Sequence, residues 1–406
     1  MSRHQDPNLA QKSLFRIGIP LLAVSVLVVG VFTYHWIDTE RQEVLHSDRE
    51  ETQVLISNSS GATLRLFKAG KNLQEAAPVD PFDGQSIWLP KGSYFLLAEQ
   101  QGAKTYYPIP VVGYRAGPDA DGNLILTVRA IVPPAPSLLL PDLPRWAYIP
   151  SGQFLLGDRL NPREPHYVWL AAFFMGAYEV ANAEFRQFFK DPSGYREDSN
   201  WNEEGRHWKA SNASTATALL NAKDSEWQRF GQDDQSVVQV NWFEAIAYCH
   251  WLTRQFGQQR WEFSLPTEAE WEKAARGPDS FDFPLGNSLS DNEVPLYNWK
   301  KNPGAADTVV GFRESPQRYL PNRYGLYHLS GNAAEWTLSM NRPYNREHPY
   351  VDDDRNSERI SGQRVLRGGS WYTASIAVLS IPYREALNPE VKTSYLGFRV
   401  VARILP

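Results

Sequence analysis

A chain of 406 residues exceeds one ordinary hydrophobic core and points to two or three folded units. Its 42% hydrophobic and 13% aromatic content, with 14 tryptophans, excludes global disorder, and a net charge of only -5 excludes the overall basic field of a nucleic-acid binder. The single cysteine, Cys249, excludes intrachain disulfides and four-cysteine metal sites.

Residues 1–16 form a short polar head. The run 17–37, from Ile17 to Ile37, then carries no formally charged residue and is long enough to cross a bilayer as a helix. Tyr34 and Trp36 stand where interfacial aromatics would. The run is too long for a cleaved signal peptide, and T-Y-H-W-I-D offers no small-residue cleavage site, so it reads as a single-pass transmembrane signal anchor. Arg3, Lys12 and Arg16 precede it, and Arg41 and Arg49 follow it. That bias places the head in the cytoplasm and the bulk of the chain outside.

Residues 38–51 read as a polar stalk. Between 52 and 132, short β-prone runs alternate with turn residues: Thr52 to Ser57, Thr63 to Phe67, Ser86 to Leu89, Tyr94 to Ala98, Thr105 to Ile109 and Leu124 to Ile131. Six short strands predict a small β-sandwich, and with no cluster of His, Cys or carboxylates it reads as spacer or protein contact. The proline-rich stretch 133–144 predicts a stiff linker that holds the C-terminal domain, 145–406, away from it.

The C-terminal domain opens on W-A-Y-I-P-S-G-Q-F, a strand or hairpin pattern. Phe185, Phe188 and Phe189 fall on one helical face after Asn182, the expected cap. Residues 191 to 235 are polar and patternless and predict a long surface excursion. Asn241 with Glu244 predicts a capping box, followed by an apolar stripe that assigns Cys249 to the core as an inert thiol. Thr267 with Glu270 predicts a second, with Gly277 as the stop; Glu268, Glu270 and Glu272 read as first-turn acids rather than a catalytic carboxylate pair. Periodicity alone gives an α+β class with much irregular structure.

Two blocks near the end concentrate glycine against tryptophan and charge: G-N-A-A-E-W, 331 to 336, and L-R-G-G-S-W, 366 to 371, with Gly397-Phe398-Arg399 after them. Together with Y-I-P-S-G-Q-F (148–154), Y-E-V-A-N (178–182) and L-P-T-E-A-E-W-E (265–272), in this order, they resemble the formylglycine-generating enzyme family, also called the sulfatase-modifying-factor family. The resemblance covers roughly 144–405. It implies a C-type-lectin-related fold with two helices and little regular strand, preceded here by the transmembrane helix and the β-sandwich.

That family's oxidase activity uses a cysteine pair after G-G-S, where soft thiolates bind copper. The pattern places Thr373 and Val378 in the two cysteine positions, so the copper reaction is excluded and a pseudoenzyme is expected. An iron-dependent branch uses histidines from an additional domain that this chain lacks. A grouping of His166, His328 and Glu335 is the one iron arrangement on offer, and it is disfavoured. Another branch lacks the cysteines and still supports an oxidative step. The resemblance further implies calcium (Ca2+) at Gly331, Ala333 and Glu335, and at Asn298 with Trp299, with His328 replacing an oxygen ligand. The competing reading has Glu335 accept neighbouring backbone N–H groups. Trp371, Tyr372, His328 and Arg384 are candidates for a ligand face or for structural roles. The expected protein is anchored in a bacterial inner membrane with its bulk periplasmic. It binds a protein partner and no nucleic acid; the alternative is a cysteine-independent oxidoreductase acting on a secreted peptide or metabolite.

Overall fold

The computed structural model describes residues 51–111, 124–128, 146–157, 165–212, 230–256, 261–289, 319–344, 361–373 and 375–404. The head, the 17–37 span, the stalk before Glu51, the 133–144 linker, Asn298 and Trp299 lie outside the described residues. No helix among the described residues is long and apolar enough to cross a membrane.

The first region carries β1 (Glu51–Asn58), β2 (Thr63–Lys68), β3 (Ala77–Pro78), β4 (Ser86–Pro90), β5 (Gly92–Gln100), β6 (Ala103–Val111) and β7 (Leu124–Val128). β1 pairs antiparallel with β4 and parallel with β7, while β3, β2, β5 and β6 form a second, antiparallel sheet. The two sheets share one apolar cluster that includes Val54, Leu66, Leu89, Tyr94, Leu96, Ile109 and Val128. β5 breaks the alternation expected of a half-buried strand, since Tyr94 through Ala98 are all buried. Tyr94, Leu96 and Ala98 face the shared cluster, so Phe95 and Leu97 point the other way.

The second region begins with β8 (Trp146–Ile149), β9 (Gly152–Leu156), β10 (His166–Leu170) and β11 (Phe173–Gly176). It continues with α1 (Asn182–Lys190), α2 (Glu203–Ser211), α3 (Trp242–Phe256), β12 (Trp261–Ser264) and α4 (Glu268–Arg276). It ends with β13 (Ala334–Met340), β14 (Arg364–Arg367), β15 (Glu385–Leu387), β16 (Leu396–Gly397) and β17 (Val401–Ile404). One sheet runs β12-β17-β11-β8 and another β15-β14-β13-β16, beside the β9–β10 hairpin. Four helices and ten strands among the described residues correct the expectation of two helices and little strand. Strands of two to seven residues are too short to print a period on the sequence.

The capping boxes of α3 and α4 are present: Asn241 Oδ1 accepts the Glu244 N–H, and Thr267 Oγ1 that of Glu270. At α1 the cap is Ala181, whose N–H donates to Glu184 Oε2 at 2.7 Å. Asn182, expected there, instead donates to the carbonyls of Phe230 and Gln232. The expected surface excursion holds α2, and its Trp208 enters the aromatic core around α3 together with Tyr195 and Trp201. Three widely spaced aromatics carry too little periodicity to announce that burial.

Residues Glu51–Pro406 form one compact unit, so the two regions are in contact rather than held apart. The Arg323 guanidinium lies 4.5 Å from the Phe95 ring centroid, and Tyr324 Oη donates to the Tyr106 carbonyl at 3.2 Å. Tyr167 Oη donates to the Pro110 carbonyl, and the Asn287 N–H to that of Lys71. A linker that is stiff by composition sets no separation when a sheet face beside it is apolar and needs cover.

Candidate functional site

β13 and β14 pair Glu335 with Arg367 and Trp336 with Leu366, which brings the two glycine-tryptophan blocks side by side. Leaving β14, Gly368 (φ +89°) and Gly369 (φ +62°) are left-handed. A Cβ on Gly368 would stand 3.2 Å from the Trp271 ring, and one on Gly369 2.9 Å from Leu379 Cδ2, so glycine is what lets this turn lie against packed side chains.

The turn delivers the two positions where the copper cysteines are expected. Thr373 Oγ1 accepts the Ser370 N–H at 2.9 Å, and the Thr373 N–H donates to the Ser370 carbonyl at 2.9 Å. Val378 is half-buried in a 3-10 turn, 376–379, that closes through its own N–H to Ser375. Trp371 is buried, its Nε1–H on the Ser394 carbonyl at 3.0 Å. Tyr372 (53% exposed), Ile376 (48%) and Tyr383 (39%) face solvent, and Tyr372 stacks on Tyr395 with centroids 5.7 Å apart.

Behind this surface lies a buried polar network. Glu335 receives Arg399 Nε and Nη2, each at 2.6 Å, and Trp271 Nε1 at 2.7 Å. Arg399 Nη1 and Nη2 also donate to the carbonyls of Gly176 and Tyr327. A guanidinium thus stands against the carboxylate that calcium would need. Gly331 uses its N–H on the Gly368 carbonyl, and Ala333 is fully buried. With its oxygens committed to Arg399 and Trp271, Glu335 offers a hard cation no free side-chain oxygen at this place. Nor does Glu335 bond neighbouring backbone N–H groups; its partners are Arg399 and Trp271.

His328, at φ +58°, sets Nδ1 3.2 Å from Glu179 Oε2, and Glu179 Oε1 accepts Asn332 Nδ2 at 2.7 Å. Burial works against the Glu179 charge, but His328 and Arg399 outweigh it and hold the carboxyl below its usual range. Nδ1 is the ring nitrogen of His328 that faces Glu179, which leaves Nε2 on the other side of the ring. Nε2 is buried, has no hydrogen-bond partner among the described residues, and lies among the rings of Tyr178 and Tyr319. His166 packs its ring on Tyr344 at 5.4 Å, whereas His328 and Glu335 belong to one buried network through Glu179 and Arg399. Among the described residues no three His, Cys, Asp or Glu side chains converge on a metal position.

Every residue of α4 is buried. Glu270 caps the helix as expected and also takes Arg403. Glu268 and Glu272, which read only as first-turn acids, hold arginines instead. Arg384 donates to both Glu268 oxygens at 2.6 and 2.9 Å, and Arg367 reaches Glu268 and Glu272 at 3.1 and 3.0 Å. Arg384 is therefore an anchor. Sequence reading missed Glu179, Asn332 and Arg367; the signal available was their place inside the Y-E-V-A-N, G-N-A-A-E-W and L-R-G-G-S-W blocks.

A glycine turn backed by buried arginine–carboxylate pairs, one antiparallel sheet and one mixed sheet defines a shell of the formylglycine-generating type. The model of the sulfatase-modifying factor enzyme 1-like domain matches residues 136–404, and the chain belongs to this family. It is 30% identical over 290 residues to the formylglycine-generating enzyme of Bos taurus, covering 64% of this chain and 74% of that protein. It is 28% identical over 287 residues to the inactive C-alpha-formylglycine-generating enzyme 2 of Mus musculus, covering 63% and 85%. It is also 30% identical over 280 residues to the hercynine oxygenase of Mycolicibacterium smegmatis, covering 62% and 60%.

Proposed function

We propose that the chain is a membrane-anchored, extracytoplasmic binding factor of a bacterial envelope, which keeps the family's shell without its copper chemistry and grips a protein partner around Tyr372. The observation that carries this reading is the Ser370–Thr373 turn, where a hydroxyl closes the backbone at a position that would need a thiolate for Cu(I). The chain's one thiol, Cys249, is buried in α3. Exposed Tyr372, Ile376 and Tyr383 supply the rigid aromatic and aliphatic contacts on which protein interfaces concentrate their energy. A relative that is named inactive supports this reading, and the apolar run 17–37 supports the anchor. Full-length protein in detergent is expected to hold no stoichiometric copper or iron, to consume no oxygen, and to co-purify with a partner that Tyr372→Ala releases. Stoichiometric iron or copper with oxygen uptake overturns the reading.

A second reading, a cysteine-independent oxidoreductase acting on a secreted peptide or metabolite, is favoured by one observation. His328 sets a buried imidazole against the Glu179 carboxylate and leaves Nε2 without a hydrogen-bond partner among the described residues, in a chain related to an oxygenase. It requires oxygen uptake that falls with His328→Gln and survives Tyr372→Ala.

A further inference from the structure

We propose that the 51–128 region is an obligate intramolecular partner of the C-terminal region, and that Arg323 is the side chain that couples their folding. The argument starts in β5. A strand with one face in water alternates buried and exposed residues, yet Tyr94 through Ala98 are buried without a break. The opposing sheet covers Tyr94, Leu96 and Ala98. The other face presents Phe95, stacked on Phe67 at 5.1 Å and edge-on to Tyr106 at 6.0 Å. Released into water, that face would be an apolar patch on a module too small to hide it.

Its cover comes from the C-terminal region. The Arg323 guanidinium lies 4.5 Å from the Phe95 centroid and 5.8 Å from that of Tyr106, and Nη2 donates to the Leu73 carbonyl at 3.1 Å. Its other side is held by both oxygens of Asp279, at 2.8 and 2.9 Å, and that carboxylate side chain is 1% exposed. Arg323 is thus held by Asp279, just past α4, and set over the Phe95 ring while donating to both carboxylate oxygens and to Leu73, a set of contacts that a forked guanidinium can satisfy at once and an ammonium cannot. Backbone contacts complete the seam, with an Asn72–Gly286 bridge and the Asn287 N–H on the Lys71 carbonyl.

The seam also shapes the loop that leads to His328. Asn322 donates to the carbonyls of Ala274 and Ala275, and its Oδ1 accepts the N–H groups of Tyr324 and Leu326. Tyr324 in turn is tied to Tyr106. α4 and the β module together therefore fix the chain four residues before the histidine.

The test is calorimetric unfolding of the full chain, alone and as a double-mutant cycle. Wild type is expected to give one transition for residues 51–406. Arg323→Ala is expected to lower it and split it in two, with Arg323→Lys intermediate. Combining Arg323→Lys with Phe95→Leu is expected to shift the midpoint by less than the sum of the single shifts, because both remove the same contact. Two separate transitions in wild type overturn the proposal, as does an unchanged single transition in Arg323→Ala or strict additivity in the cycle. Should Arg323→Ala not accumulate, the Arg323→Lys and Phe95→Leu cycle decides.

Discussion

Helix α4 and the segment from Trp371 to Tyr383 both follow family motifs, and they are built in opposite ways. In α4 each charged side chain has a distant partner: Glu268 and Glu272 hold Arg367, Glu270 holds Arg403, Lys273 donates to the carbonyls of Pro150 and Gly152, and Arg276 to that of Gly157. In 371–383 the backbone bonds at the two expected cysteine positions are local, Thr373 to Ser370 and Val378 to Ser375, and Tyr372, Ile376 and Tyr383 reach solvent, while Trp371, Leu379 and Ile381 are the buried side chains that tie the segment down. A buried polar network stands or falls with all of its members, so its residues cannot drift singly. A self-closed turn tolerates replacement. If Thr373 and Val378 stand where the family resemblance expects the cysteines, this difference accounts for a shell that persists without them.

The largest effect that could break the contrast is at Arg399. Arg399→Leu leaves Glu335 and Glu179 fully buried and without their shared cation, and is expected to cost about 3–5 kcal/mol in urea unfolding. A loss below about 1 kcal/mol would mean that the network is not what holds the shell, since ordinary surface changes reach that size.

Lys273 sharpens the same side. Burial pushes its ammonium from 10.5 down to about 7, with Glu270 opposing the shift only in part. The unfolded chain therefore binds this proton more tightly than the folded one, and stability rises with pH from about 7 towards the unfolded value. The gain is about 1.4 kcal/mol for each pH unit crossed. Lys273→Met removes the group, so the difference in stability between wild type and variant is expected to move in favour of wild type between pH 7 and pH 10. A difference that stays flat across that window would place the lysine in water.

How far the sequence foretold this architecture follows from the range of each signal. The capping boxes at Asn241 and Thr267 and the six N-terminal strands were legible because they rest on neighbours a few residues apart. Cys249 in the α3 core was legible for the same reason. The pairs Glu335–Arg399, Glu268–Arg384 and Glu179–His328 span 64 to 149 positions, and no local pattern marks them. Phe95 on a second apolar face lies in an unbroken apolar run, Y-F-L-L-A, which marks a strand buried on both faces without saying what covers the second one.

A smaller effect tests whether α4 needs its cap once it is so heavily anchored. Thr267→Ala removes the hydroxyl that accepts the Glu270 N–H and is expected to cost about 1 kcal/mol. A cost near zero would show that the arginine contacts alone set the helix start.

The smallest expected change in stability belongs to the other side of the contrast, and it is the most discriminating. Tyr372 is 53% exposed, its backbone N–H rests on Ser370 Oγ at 3.3 Å, and its ring contacts are with Trp371 and Tyr395. Tyr372→Ala keeps the backbone bond and removes only a surface ring, so unfolding is expected to shift by no more than about 0.5 kcal/mol. If this face grips a partner, the same change removes a central aromatic contact and weakens capture at least tenfold, a loss of about 1.4 kcal/mol or more. Because stability and binding should part company here, a variant that loses both equally would place Tyr372 among the residues that hold the shell, and one that loses neither would move the binding face elsewhere.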